Sequence, residues 1–336
     1  MASKGVRWKA SVQRYMERSL RNCLSASRDI RHGRDIRRGF TRFTIIERGK
    51  ARNIAAPKFS ERVAQKAFAR NVLVPALLPT LTPGCTANVK GRGIDYALIR
   101  LKGQLAIWFR LHGAEGYILL IDFSDYFGSI DHDAVMEMIE RNLADPRAIE
   151  FARLQVEANG KGLGLGAEPN QALAVAFPSP IDRLGERWQG IEASGRYMDD
   201  SYFIAKDKAT LWAFLETARS EAARLGITIS ERKTRIVKLS RGFVFLKKRF
   251  RFSESGKVIV TPSKKAIANQ RRKMRKQARM VSEGIMTQDQ ARTSYASFRG
   301  SIAKKHDGRP RFRMNANKTV LDLDRLFLDL FGVPYN

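Results

Sequence analysis

Residues 193–205 read ASGRYMDDSYFIA. Tyr197-Met198-Asp199-Asp200 stands between Ala193-Ser194-Gly195-Arg196 and the apolar run Tyr202-Phe203-Ile204-Ala205. Side chains alternate along a strand, so consecutive aspartates point to opposite faces unless the backbone turns there. A tight turn at this point makes a hairpin and brings both carboxylates near one spot. Like charges that close repel, and each raises the other's pKa unless a cation sits between them. Hard carboxylate oxygens suit Mg²⁺. Asp pairs also occur at helix caps and wetted turns, so a third carboxylate is needed to specify a metal site.

Residues 117–132, YILLIDFSDYFGSIDH, supply one. Tyr117 to Ile121 form an apolar run of the kind a strand buried on both faces requires. Asp122 follows at its carboxyl end, where an unpartnered charge is costly to desolvate. Asp125, Asp131 and Asp133 fall at turn and helix-start positions, where the helix dipole favours acidic groups, and read as caps or surface. If Asp122 at a strand end meets Asp199 at a hairpin turn, two ions roughly 3.5–4 Å apart can be clamped between them.

These residues resemble motifs of reverse transcriptases of the prokaryotic, non-long-terminal-repeat type. Residues 122–127 (DFSDYF) are similar to motif A and residues 197–200 (YMDD) to motif C. The resemblance implies a right-hand polymerase of the α+β class, with fingers and a palm of antiparallel sheet plus helices, and a helical thumb. It implies that Asp122, Asp199 and Asp200 hold two Mg²⁺ ions, with Mn²⁺ as the alternative. Phe127 is then the steric gate that excludes a ribose 2′-hydroxyl. Residues 45–57 (IIERGKARNIAAP) resemble the fingers hairpin, with Lys50 and Arg52 on the incoming triphosphate; strand alternation puts both on one face. Residues 61–79 resemble the helix that follows. Residues 226–234 (GITISERKT) are similar to motif D, in which Lys233 protonates the leaving pyrophosphate. Residues 242–250 (GFVFLKKRF) are similar to the primer grip, with Lys247-Lys248 where relatives often have Gly-Tyr.

Motif B departs from the pattern. Many relatives read G-x-P-Q-G, whereas residues 162–171 read GLGLGAEPNQ. Aligned on Gly162 and Gly166, the glutamine position against the nascent base pair holds Leu165. An apolar residue there is similar to the enzymes of diversity-generating retroelements. Leu165 cannot hydrogen-bond a base or sugar, which implies looser selection of the incoming nucleotide and error-prone synthesis.

The 336 residues are 43% hydrophobic and carry 62 Lys plus Arg against 33 acidic residues, a formal net charge of +29. Length and composition fit a globular protein of one large or two smaller domains. The charge excess points to a polyanionic partner. No apolar stretch is long enough to span a bilayer, and MASKGVRWKA at the start lacks a signal core. Cys23 and Cys85 are far apart and form no metal-ligand pattern, so a reduced, cytoplasmic protein is expected; the resemblance implies that a prokaryote or a phage encodes it. Residues 28–38 and 264–279 (KKAIANQRRKMRKQAR) concentrate the charge. In the second run Arg271, Arg272, Lys273, Arg275 and Lys276 have no acidic neighbour to pair with, so phosphates are the expected partner, in a salt-dependent and sequence-independent way. Arg92, between Gly91 and Gly93, is a further candidate for the nucleic-acid backbone, since glycine permits close approach.

The expected layout is an N-terminal extension and fingers over 1–112, a palm over 113–241, a primer-grip hairpin over 242–262 turning at 253–256, and a basic helical thumb over 263–336. Helices are expected over 12–24, 61–78 (interrupted at Pro75), 132–144 and 208–225, with a break at Pro178 and Pro180 and an amphipathic packing helix over 319–332 that includes Leu321. The expected function is RNA-directed DNA polymerisation. Its partners are an RNA template, a DNA or RNA primer and deoxynucleotides, with a dedicated non-coding RNA or accessory protein as further candidates and no membrane. A mutagenic retroelement, a stand-alone phage-defence enzyme that copies a dedicated RNA or needs no template, and a retron-like role are alternative settings. A non-catalytic basic RNA-binding scaffold is the alternative of another class.

Overall fold

In the computed structural model, residues 2–47, 50–158, 160–303, 312 and 314–335 are described. The chain opens with α1 (Ala10–Glu17) and α2 (Ser19–Arg31). This corrects the single helix expected over 12–24: Arg18 leaves helical geometry at φ −123°. The break lets α1 bury Val12, while α2 buries none of its residues. An antiparallel ribbon follows, β1 (Phe40–Glu47) with β2 (Lys50–Pro57), in register from Phe40↔Pro57 to Glu47↔Lys50. The expected turn at Arg48-Gly49 and the side chains of Lys50 and Arg52 lie outside the described residues. Helix α3 (Phe59–Phe68) passes through one wide π-type turn at Ala69–Leu73 into α4 (Val74–Leu77). That turn absorbs Pro75, whose missing N–H sits harmlessly in the first turn of α4. Helix α5 spans Ile94–His112.

The central unit begins with β3 (Tyr117–Ile121), then α6 (Tyr126–Ser129), α7 (His132–Asn142), α8 (Pro146–Glu157), α9 (Glu168–Ala176) and α10 (Ser179–Arg187). Pro178 separates the last two, as its lost donor and fixed φ dictate. Strands β4 (Ile191–Tyr197) and β5 (Asp200–Ala205) form the hairpin, and α11 (Lys208–Arg224) leads to β6 (Arg235–Lys238). The four strands pair antiparallel in the order β4-β5-β3-β6. Alternation splits the sheet between two cores. Leu119, Ile121, Phe203 and Ala205 face a core built with α7, α8, α9 and α11. Ile118, Leu120, Tyr202 and Ile204 face a second core shared with α5 and the C-terminal elements. The unbroken apolar run of β3 is thus buried on both faces.

Residues 242–262 form a three-stranded sheet, β7 (Phe243–Phe245), β8 (Lys248–Phe252) and β9 (Val258–Pro262), which corrects the single hairpin expected there. The turn over 253–256 is present, closed by Ser253 N–H on the Lys257 carbonyl at 2.9 Å. The extra strand arises because Leu246 and Lys247 both take positive φ (45° and 63°), the geometry of a two-residue hairpin turn. Tyr202 and Phe245 meet edge to face at 5.1 Å and join the two sheets. Helices α12 (Lys264–Ser282), α13 (Gln288–Ile302) and α14 (Asn317–Phe331) close the second core with Met274, Tyr295, Leu323 and Phe327. Leu321, expected in that core, is 68% exposed, because the buried stripe runs through Val320, Leu323 and Phe327 instead. Among the described residues, no helix is long and apolar enough to cross a membrane.

Candidate active site

Strand pairing brings the three aspartates together. Ile121 of β3 lies opposite Ser201 of β5, so the next position outward sets Asp122 beside Asp200. Tyr197 pairs with Asp200 across the hairpin, which leaves Met198-Asp199 as its two-residue turn. Met198 adopts φ 57°, a left-handed conformation that costs a non-glycine residue about 1 kcal/mol or more. A second segment is laced to Asp122 by backbone bonds: Ser230 N–H to the Asp122 carbonyl and Ser124 N–H to the Thr228 carbonyl, both 2.8 Å. That lacing delivers Lys233, whose Nζ lies 2.5 Å from Asp122 Oδ1 although the two residues are 111 positions apart.

The Asp200 carboxyl is pushed up to about 7, first by burial and then by the negative charges of Asp199 and Asp122, with Lys233 and Arg235 acting in the opposite sense. The charges of Asp199 and Asp122 therefore both reach Asp200. A carboxyl whose pKa is higher folded than unfolded destabilises the fold once the unfolded chain has ionised. The penalty is absent below about pH 4 and complete above about pH 7, with a ceiling of roughly 4 kcal/mol for a shift of about three units. Among the described residues, no three His, Cys, Asp or Glu side chains are gathered closely enough to enclose one ion as they stand, and the Lys233 ammonium lies against one side of Asp122. The donor set is all hard oxygen, the ligand type that a hard divalent cation takes, and Lys233 already offsets part of its charge at Asp122.

The loop over 162–166 connects Phe127 to the β1–β2 ribbon. Leu163 N–H donates to the Phe127 carbonyl at 2.8 Å, and Ala55 N–H in β2 donates to the Leu165 carbonyl at 3.2 Å. His132 Nε2 bonds the Gly162 carbonyl at 2.9 Å, and buried Asn170 donates to the Gly164 carbonyl at 3.2 Å. Gly166 is required: at φ 124° an added Cβ would lie 2.8 Å from the Ala55 carbonyl oxygen. Phe127 and Leu165 are both half-buried, and the Phe127 ring packs edge-on against Tyr126 with centroids 5.8 Å apart.

Other sequence-predicted contacts spread more widely. Exposed Arg271, Arg272, Lys273, Arg275 and Lys276 ride on α12, whose buried side holds Gln270, Met274 and Gln277. Lys247 is exposed at the β7–β8 turn. Lys248 is half-buried, and desolvation lowers its pKa, opposed by Asp95. Arg92 turns inward: its Nη1 donates to the carbonyls of Cys85 (2.7 Å) and Thr82 (3.4 Å), bracing the loop between α4 and α5.

Sequence reasoning missed Arg196 and Asp182. Arg196 is 2% exposed, and its guanidinium meets the Asp182 carboxylate of α10 at 2.7 Å. Burial opposes its charge, and the carboxylate more than offsets that, so its pKa is raised. The available signal was Arg196 itself, a cation directly before the Tyr197-Met198-Asp199-Asp200 stretch.

No family model matches the chain. Protein YkfC of Escherichia coli (strain K12) is 24% identical over 268 residues, covering 65% of this chain and 69% of that protein. Telomerase from Candida tropicalis, truncated from its C-terminal domain, superposes with a TM-score of 0.52 at 15% identity, over 67% of this chain and 55% of that one. Telomerase from the same organism in complex with the TWJ fragment of telomeric RNA gives 0.54 at 11% identity, over 93% and 62%. The chain therefore spans little more than half the length of the telomerase chains it matches. Identities this low speak to architecture alone, and the architecture is a reverse-transcriptase-like fold of the kind found in telomerase.

Proposed function

We propose that the protein is an RNA-directed DNA polymerase that extends a primer 3′-hydroxyl with deoxynucleotides. The observation that carries this reading is the meeting of Asp122, Asp199 and Asp200 where β3 ends beside the β4–β5 turn. Asp122, Asp199 and Asp200 would hold two Mg²⁺ ions, which supply charge neutralisation of the leaving pyrophosphate and a lowered pKa for the attacking hydroxyl. Lys233, within reach of Asp122, is suited to give a proton to the leaving group. Phe127 shapes the sugar site and Leu165 the nascent-pair site. Lys50 and Arg52 belong to the triphosphate. The basic face of α12, with Lys247, holds template–primer duplex through its phosphates. In this scheme residues 1–112 are extension and fingers, 113–241 palm, 242–262 primer grip and 263–336 thumb. The telomerase-like fold and the RNA bound by one telomerase neighbour support an RNA partner.

Primer extension with RNA, DNA or no template tests the reading. Copying of RNA with deoxynucleotides is expected; no incorporation on any template contradicts it. The absence of a hydrogen-bonding side chain at Leu165 favours error-prone copying. Leu165→Gln is therefore expected to lower the misincorporation rate by about 10-fold, the worth of one hydrogen bond. An unchanged error spectrum would remove Leu165 from nucleotide selection.

A further inference from the structure

We infer that Arg196 and Asp182 form a buried clamp that sets the conformation of the Met198-Asp199 turn, which makes Arg196 a positioning residue for Asp199. The catalytic meaning of this clamp rests on the polymerase reading above; the clamp itself does not.

The guanidinium reaches four partners, one of them the Cys85 Sγ at 3.5 Å from Nη2. Nε bonds both oxygens of Asp182 at 2.9 and 2.8 Å. Nη2 donates to the Val175 carbonyl at the end of α9, at 2.8 Å. Nη1 reaches forward two residues to the Met198 carbonyl at 3.0 Å. This last bond acts on the turn. A peptide unit is planar, so fixing the Met198 carbonyl fixes the plane that carries the Asp199 nitrogen and Cα, the point from which the Asp199 side chain springs. The turn needs such a hold, since Met198 sits at φ 57° and a left-handed non-glycine residue persists only where its surroundings over-determine it. The base of the clamp is itself fixed. Arg196 N–H donates to the Gly84 carbonyl and Thr86 N–H to the Arg196 carbonyl, both at 3.0 Å. The Arg196–Asp182 side chains are 1% and 7% exposed. A buried ion pair gives little net stability, because desolvation offsets the attraction; its geometric reach into the turn is the better account of its presence.

The test replaces both charges together, Arg196→Met with Asp182→Leu, which leaves no unpaired buried charge and is tolerated in comparable pairs. Arg196→Lys, which keeps the charge and loses the fork, is the second variant. Three quantities are read: thermal midpoint, hydrogen exchange of the amides over 198–201, and kcat with KM for deoxynucleotide and template–primer. The double variant should melt near the parent temperature, exchange the turn amides about 10-fold faster, and lose about 10²-fold in kcat with KM for template–primer within about twofold. Arg196→Lys should recover only part of either loss. Unchanged exchange and a kcat within about twofold of the parent would overturn the inference. Should the double variant fail to fold, Arg196→Lys is judged by the same exchange and kcat criteria. A parent that polymerises nothing contradicts the polymerase reading, and the exchange measurement then decides the clamp by itself.

Discussion

Replacing Asp199 with asparagine is expected to lower primer extension by about 10³-fold or more while leaving affinity for an RNA-containing duplex within about twofold. Asparagine keeps the size and backbone preferences of aspartate, so the two-residue turn between Tyr197 and Asp200 should survive. The negative charge does not. The proposed nucleotidyl transfer asks the protein to position groups and stabilise charge, with little covalent work. Losing one carboxylate therefore removes several kcal/mol of transition-state stabilisation. The charge proposed to bind phosphates lies elsewhere, on the exposed side of α12, so a counterion-driven affinity should be untouched. Steady-state extension and a filter-binding isotherm measured on the same preparation check both halves. Full activity in the variant would remove the aspartate turn from the chemistry. Loss of binding together with activity would mean that the turn is structural. Retained biological function in an inactive variant would favour the scaffold alternative.

The second large effect is expected at Phe127. Phe127→Val should reduce discrimination against ribonucleotides by about 10²-fold, with deoxynucleotide kcat/KM changed by less than about threefold. Forcing extra atoms into a filled site costs 1–3 kcal/mol, and removing the ring removes that cost for the 2′-hydroxyl. The position is suited to the task. Phe127 lies five residues past Asp122, in the short helix α6, half-buried against the core, and its carbonyl is held by Leu163 N–H. A gate must be rigid to discriminate, and the proposed one is fastened to the loop over 162–166. Single-nucleotide incorporation with paired ribo- and deoxynucleotides measures it. Unaltered discrimination would make Phe127 an ordinary packing aromatic.

The hairpin around Asp199 and the buried strand before Asp122 were legible because each is written locally, as an apolar run of strand length ending in a charge. The α12 helix was legible from composition. What escaped depends on residues that meet only after folding. Asp182 sits on a helix and Arg196 on a strand, and nothing local says that they pair. Leu246 and Lys247 lack the Asn-Gly chemistry that announces a tight hairpin turn, so β7 was merged with its neighbour. Leu321 satisfies helical spacing but lies beside the stripe that the second core accepts. Arg92, an arginine between glycines that reads as a candidate nucleic-acid contact, has its Nη1 on two carbonyls of its own chain, which nothing local announces.

In the proposed site Asp122, Asp199 and Asp200 crowd their charges into one place, and a divalent cation would relieve them. Thermal unfolding of the metal-free protein and of Asp200→Asn, at about pH 4 and about pH 8 with and without Mg²⁺, tests it most directly. The account predicts equal stabilities at the lower pH. At the higher pH, where Asp200 with its pKa near 7 is ionised, the variant should be the more stable by up to about 4 kcal/mol. Adding Mg²⁺ should raise the parent and shrink that gap. Superimposable pH profiles for the two proteins, with no response to Mg²⁺, would contradict the account.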